Sequence, residues 1–330
     1  MPGIFTERYV SIVVYKGGAA IAEVVRSGFV EGLHRGSIAL LDARGDIAYA
    51  AGDIDGPVFP RSANKPLQAV GMLRAGLPLP APADLAIAAA SHWGEPFHIA
   101  RVRRILVNAG LTESDLACPR DLPVDSAARA AVIASGGGAT RLLMNCSGKH
   151  ATMLATCVAA GWSTSDYLDP GHPLQKEIAR TIADLVGEPI AATGVDGCGA
   201  PLFAFSLTAL ARSFAALVSA EPGSNERAVA DAMRANPEQV AGTRGHDTRF
   251  MRAVPGMLSK VGAEGVWAMA VPGVGALAVK IDDGARRAAL PVAVAGLARL
   301  GVTGDELAKA GEAILYGRGV PVGAVRATLP

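Results

Sequence analysis

Apolar positions alternate or run together at both ends of this 330-residue chain and recur with helical spacing in the middle. Near the start, YVSIVVY (Tyr9 to Tyr15) predicts a strand. SIALLDARGDIAYAAG follows, with two apolar runs about Ala43, Arg44 and Gly45, and predicts a hairpin. A helix is expected from Ser62 through Ala75. From about 83 to 220 the spacing is mostly helical, in ADLAIAAAS, PFHIARVRRILVNAGL, SAARAAVIAS, SGKHATMLATCVAAGW, PLQKEIARTIADLVG and SLTALARSFAALVS. SNERAVADAMRAN adds another helix, with Ser224 as cap and Glu226 in its first turn. Strand character returns in PGMLSKVGA, GVWAMAV and GALAVKIDDG, and two helices, near Arg286 to Leu300 and Asp305 to Tyr316, close the chain.

This order predicts an α+β fold. Strands from both termini share one antiparallel sheet, helices flank it, and a mostly helical lobe of about 83–220 is inserted between them. With no linker, low-complexity tract or repeat, residues 1–330 read as one domain with two lobes.

Composition narrows the classes of function. A formal net charge of +1 with no basic block gives no support for nucleic acid or an anionic membrane as partner. Mean hydropathy is high, at +0.31. Yet the longest apolar run, Gly265 to Val279, is interrupted by Pro272 and falls short of the roughly 20 residues of a spanning helix. MPGIFTERYV lacks the apolar core of a signal peptide, so a cytoplasmic protein is expected. Cys118, Cys146, Cys157 and Cys198 form no C-x-x-C pair, and in that compartment no disulfide framework is expected.

Lysine is scarce: seven lysines against 24 arginines. Arginine stays charged, whereas a buried lysine shifts its pKa readily, so the positions that keep lysine are candidates for a titratable amine. In RSANKP, Ser62 and Lys65 are three residues apart at a helix start, on one face. A neutral Lys65 could take the Ser62 proton, and the helix N-terminus suits an oxyanion. A capping serine beside a solvated lysine is the bland alternative. AASHWGEPFHIAR brings Ser91 and His92 to a helix end, where Ser91 is equally a cap. GMLSKVGAEG sets Lys260 on a strand, which in S-x-x-K enzymes often presents a basic residue to the site. MNCSGKHATM and GVDGCGAP hold Cys146, Lys149 and His150, and Asp196 and Cys198, in turns. Two such cysteines suit a soft metal with a third ligand, although each alone is more often a small buried hydrophobe.

Taken together and in this order, RSANKP, ASH with HIAR, NCSGKH, GVDGC and SKVGA resemble the Rhizobium-type L-asparaginases, the asparaginase II family, from about Ile12 to about Gly284. The resemblance implies a serine β-lactamase and glutaminase-like fold, and hydrolysis of the side-chain amide of L-asparagine to L-aspartate and ammonia. It implies two serine–lysine tandems, Ser62 with Lys65 and Ser91 with Lys260. Zinc would lie on Cys146, Lys149 and Cys198, with Arg61, His150 and Asp196 lining the site and a homodimer as the assembly. Asn64, Trp93 and Gly94 stand where the family carries small or small polar residues. Three other readings stay open: a glutaminase or β-lactam-handling enzyme on the same scaffold, a zinc-holding binding protein without turnover, and a zinc hydrolase, which the absence of H-E-x-x-H disfavours.

Overall fold

A computed structural model describes residues 14–329. The strand expected at Tyr9 to Tyr15 lies mostly outside them, and Val14 and Tyr15 carry no regular structure. The first strand is β1 (Ala19–Arg26), joined to β2 (Phe29–Asp42) through Ser27 and Gly28. Both turn residues have positive φ, 49° and 82°, the geometry that matches the twist of a two-residue hairpin. The sequence pattern does not predict that hairpin, because apolar Phe29, Val30 and Leu33 are exposed and interspersed with polar residues. The expected one follows: β2 turns at Ala43 to Gly45 into β3 (Ile47–Ala51). The short β4 (Pro57–Val58) comes next.

The chain then enters its helices. A 3-10 turn at Arg61–Asn64 leads into α1 (Lys65–Arg74). The series continues with α2 (Pro82–Ala88), α3 (Pro96–Asn108), α4 (Ser126–Ala134), α5 (Ser147–Ala160) and α6 (Pro173–Val186). The helical stretch is broken by β5 (Ala192–Val195) and β6 (Pro201–Ser206), which with β4 form a small sheet ordered β4-β6-β5. Four helices follow: α7 (Leu207–Ser219), α8 (Asn225–Ala235), α9 (Pro237–Ala241) and α10 (His246–Ala253).

The second half of the main sheet is β7 (Leu258–Val261), β8 (Val266–Val271) and β9 (Gly275–Ile281). After α11 (Arg286–Arg299), α12 (Asp305–Ala310) stops six residues short of the helix expected to reach Tyr316. The remainder forms β10 (Ile314–Gly317) and β11 (Val320–Ala327), turning at Arg318 and Gly319, both of positive φ. The main sheet is antiparallel, ordered β10-β11-β1-β2-β9-β8-β7, with β3 also on β2. Strands from the two chain ends share it, as the pattern predicts.

Strand β8 shows why this sheet needs two covers. All six of its residues are buried, and period-2 alternation splits them. Trp267, Met269 and Val271 join one apolar core with Ile38, Leu277 and residues of α11. Val266, Ala268 and Ala270 join the other, with Leu67, Phe214 and the helical lobe. Small alanines on that second face bring β7 and β8 close to the start of α1, and the site lies there.

Candidate active site

Three of the seven lysines are buried, Lys65 and Lys149 at 1% exposure and Lys260 at 0%. They are the three singled out from the sequence. A bare amine this deep is costly unless paired or neutral, so each placement calls for a partner.

Lys65 opens α1, and Pro66 behind it supplies the fixed φ suited to a first helical turn. Its Nζ donates to Ala90 O at 2.6 Å, Ser91 Oγ at 2.9 Å and Cys146 Sγ at 3.1 Å. Those three bonds use all the donors of an ammonium. Ser62 sits on the preceding 3-10 turn, and its carbonyl accepts from the Lys65 backbone amide. Among the described residues no hydrogen bond joins the Ser62 hydroxyl to Lys65. The lysine thus bridges from the Ser62 turn to Ser91, and the structure couples it to the second serine. Arg61 holds the turn in a left-handed conformation, φ 52°, which an arginine rarely adopts.

Ser91 is pinned from both sides: its amide donates to Val240 O, and that of His92 to Asn145 O. His92 is fully buried and neutral in role. Its Nδ1 accepts from the Gly94 amide and its Nε2 donates to Ser147 Oγ, while burial, then His98 and Lys65, push its pKa well down. Trp93 is half-buried against Gly242, and its carbonyl accepts from the Asp125 amide. Asn64 is buried with its Nδ2 lacking a partner.

Lys260 reaches the same region from β7. The strand approaches the Arg61–Asn64 turn because residue 262 is glycine; a Cβ there would sit 2.5 Å from Pro60 O. Lys260 Nζ donates to Val261 O at 2.8 Å and lies 3.5 Å from Asp247 Oδ2. Among the described residues no hydrogen bond joins Lys260 to Ser91, its partner in the tandem that the resemblance implies. Burial pulls its pKa down to about 8 against the opposing pull of Asp247, with Lys65 adding to the fall. Asp247, also fully buried, carried no sequence signal beyond an acid in the first turn of a short helix.

The Arg61 guanidinium bonds Asp196 Oδ1 at 2.8 Å and stands 3.6 Å from Glu264 Oε1. Asp196 also accepts from the Gly197 amide. Beneath them, Lys149 Nζ donates to Cys198 Sγ at 3.2 Å. The bond from Cys146 draws the pKa of Cys198 down against its burial, with Lys149 and His150 helping. Cys146 is correspondingly pushed up. Burial opposes protonation of Lys149, but the sulfurs of Cys198 and Cys146 outweigh it and raise its pKa. His150 Nδ1 meets Tyr167 OH at 2.7 Å, and its buried Nε2 has no hydrogen-bond partner. Among the described residues no three His, Cys, Asp or Glu side chains are gathered as a metal site. The donor set at this point is two sulfurs and an amine, all buried, and such soft N and S donors suit zinc. All four cysteines are free, as expected.

The model of the L-asparaginase II family matches residues 22–327. The chain belongs to the L-asparaginase II family. Membership makes it a hydrolase of amides in small-molecule substrates, and the match runs past the Gly284 limit of the motif resemblance to the end of β11. No curated protein matches the sequence. Among solved structures, a β-lactamase from Mycobacterium bovis is 16% identical, with a TM-score of 0.46 over 81% of this chain and 95% of that one. Mglu in its tris and glutamate form is also 16% identical, with a TM-score of 0.37 over 86% of this chain and 64% of that one. Among the described residues, no helix is long and apolar enough to cross a membrane.

Proposed function

We propose that this protein is an L-asparaginase that works through an acyl-enzyme on Ser62. The observation that carries the reading is the 2.9 Å bond between Lys65 Nζ and Ser91 Oγ, one helical turn from a serine whose hydroxyl is left unengaged by Lys65. A nucleophile, an amine and a second hydroxyl in series form a proton path. Ser62 Oγ bonds to the side-chain amide carbon and its proton passes to Lys65, which acts in its amine form with one of its three donor contacts released. Ser91 relays that proton to the amide nitrogen as the C–N bond breaks and ammonia leaves. Water then adds to the ester carbon, Lys65 or Lys260 takes its proton, and that proton returns to Ser62 Oγ as the ester C–O bond breaks and aspartate departs.

Substrate orientation comes from Arg61 and Asp196. An α-amino acid carries a carboxylate and an ammonium on one carbon. An opposite-charge pair 2.8 Å apart offers the complementary pattern, with His150 and Tyr167 beneath it. Cys146, Lys149 and Cys198 would hold zinc, which supplies a fixed positive charge and ties the α5 start to the Asp196 turn. Lys149 must lose its proton for this, so binding strengthens as pH rises.

The test is ammonia release from L-asparagine and L-glutamine by the purified protein and by Ser62→Ala. Asparagine turnover that disappears in the variant is expected. No release from either amide by the folded, zinc-supplied protein would sink the reading, and faster release from glutamine would move it to a glutaminase.

A further inference from the structure

Asp247 belongs to none of the sequence motifs, yet it has more hydrogen-bond donors than any other buried carboxylate near the site. It stands in the first turn of α10, fully buried, where the helix N-terminus favours a negative charge. Ser259 Oγ donates to its Oδ1 at 2.7 Å and Trp267 Nε1 at 3.1 Å. The Val261 amide donates to both oxygens, at 2.9 and 3.1 Å. Lys260 Nζ, at 3.5 Å, is the most distant donor of the group.

These distances rank the roles. A carboxylate accepts about four hydrogen bonds, and three neutral donors already hold this one, the Val261 amide shared between its two oxygens. Asp247 is therefore held in place without the lysine. The lysine is the member that needs an explanation, because a buried ion pair is often no more stabilising than an apolar pair of the same volume. Lys260 Nζ is tied at Val261 O and at Asp247, once to its own strand and once to α10.

We propose that Asp247 is a positioning residue of the active site, whose carboxylate, fixed by Ser259, Trp267 and the Val261 amide, sets the orientation and charge of the Lys260 amine. This rests on the reading of Lys260 as a proton-handling group. The other charges around that amine are few. Lys65 faces it from α1 and Cys146 from the α5 start. Arg61 of the adjoining turn is engaged by Asp196 and Glu264. His246 neighbours Asp247, its pKa lowered by burial, with Arg286, Asp247 and Arg249 in its field. Strand β8 contributes no ionisable group, and α8 pairs its own: Arg227 and Arg234 with Asp231, and Glu226 with Arg74.

Two substitutions move the amine in opposite directions. Asp247→Asn removes the charge that favours the ammonium. Ser259→Ala removes one neutral donor, so the carboxylate leans harder on Lys260. Both are followed by NMR titration of the seven lysine ammonium signals, Lys260 being assigned with Lys260→Met, and by the pH profile of kcat/KM for asparagine. The Lys260 midpoint and the acid limb of the profile should fall together in Asp247→Asn, by about one pH unit or more. Both should rise in Ser259→Ala by a smaller amount. An unmoved Lys260 midpoint in the folded variants overturns the role of Asp247. A midpoint that moves while the acid limb stays, or a fully active Lys260→Met, overturns the reading of Lys260 on which the role depends. Should Asp247→Asn not fold, an unmoved midpoint in Ser259→Ala decides against the proposal.

Discussion

Lys65 and Ser91 lie 26 positions apart in sequence and 2.9 Å apart in space, closer in hydrogen-bonding terms than Lys65 is to the Ser62 hydroxyl one turn away. The S-x-x-K spacing puts serine and lysine on one helix face. What decides the lysine's partner is the loop after α2, which delivers Ala90 O and Ser91 Oγ into its reach.

If Ser91 relays the proton, its loss should slow turnover without abolishing ester formation. Ser91→Ala is expected to lower kcat by roughly 10²- to 10⁴-fold, the usual span for one positioned acid–base group. Rapid quenching and mass spectrometry should find the acyl group on Ser62. An ester on Ser91 in the wild-type protein would exchange the two serine roles.

The pH profile follows from Lys260. With its pKa drawn down to about 8 by burial, the amine becomes able to accept a proton as the pH rises through that value. The kcat/KM for asparagine should therefore climb across an acid limb near pH 8. Lys260→Met should flatten that limb.

Cys198 tests the metal. Replacing it with serine removes a buried sulfur donor, so bound zinc, measured by elemental mass spectrometry on the dialysed protein, should fall well below one per chain. In our reading KM for asparagine rises about tenfold or more, because losing a metal ligand weakens substrate placement while the serine–lysine machinery stays. A complete loss of turnover with KM unchanged would favour a metal-activated water instead.

Gly148 tests the packing that carries the site. It lies in the first turn of α5 between Cys146 and Lys149, and a Cβ there would come 2.7 Å from Ile87 O and 2.8 Å from Ile87 Cγ1. Gly148→Ala should destabilise the protein by about 1–3 kcal/mol through overpacking. Thermal unfolding would register the loss, and zinc content should drop with it as α5 is pushed from α2.

Much of this was legible in the residues. Lysine scarcity and the surrounding motifs together pointed to Lys65, Lys149 and Lys260, and burial selects the same three. The strand–helix–strand order also appeared in the pattern, since β7, β8 and β9 are dense apolar runs. The β1–β2 hairpin escaped notice because Phe29, Val30 and Leu33 are exposed and intersperse with charge, which blurs the alternation. Strand β10 was hidden in the end of an apparent helix, since it forms only by pairing with β11, which itself lies on β1. Asp247 could not be found, because a single acid becomes informative only when the fold surrounds it with donors. The partner of Lys65 was likewise beyond reach, being set by a contact between helices α1 and α5 and the loop after α2.

The ladder between β2 and β9 pairs Gly36 with Ile281 and Leu41 with Ala276, and β1 pairs with β11 at the far end of the chain. Contacts this distant in sequence form slowly, since the intervening chain must be ordered before they are rewarded. On the ribosome, the segments carrying Ser62, Lys65 and Ser91 emerge well before β7, the strand that brings Lys260. The nascent chain thus carries three of the four groups before the fourth, and the sheet closes only when β11 is free. Truncation before β11 should leave a species with native-like helices, an open sheet edge and a tendency to aggregate.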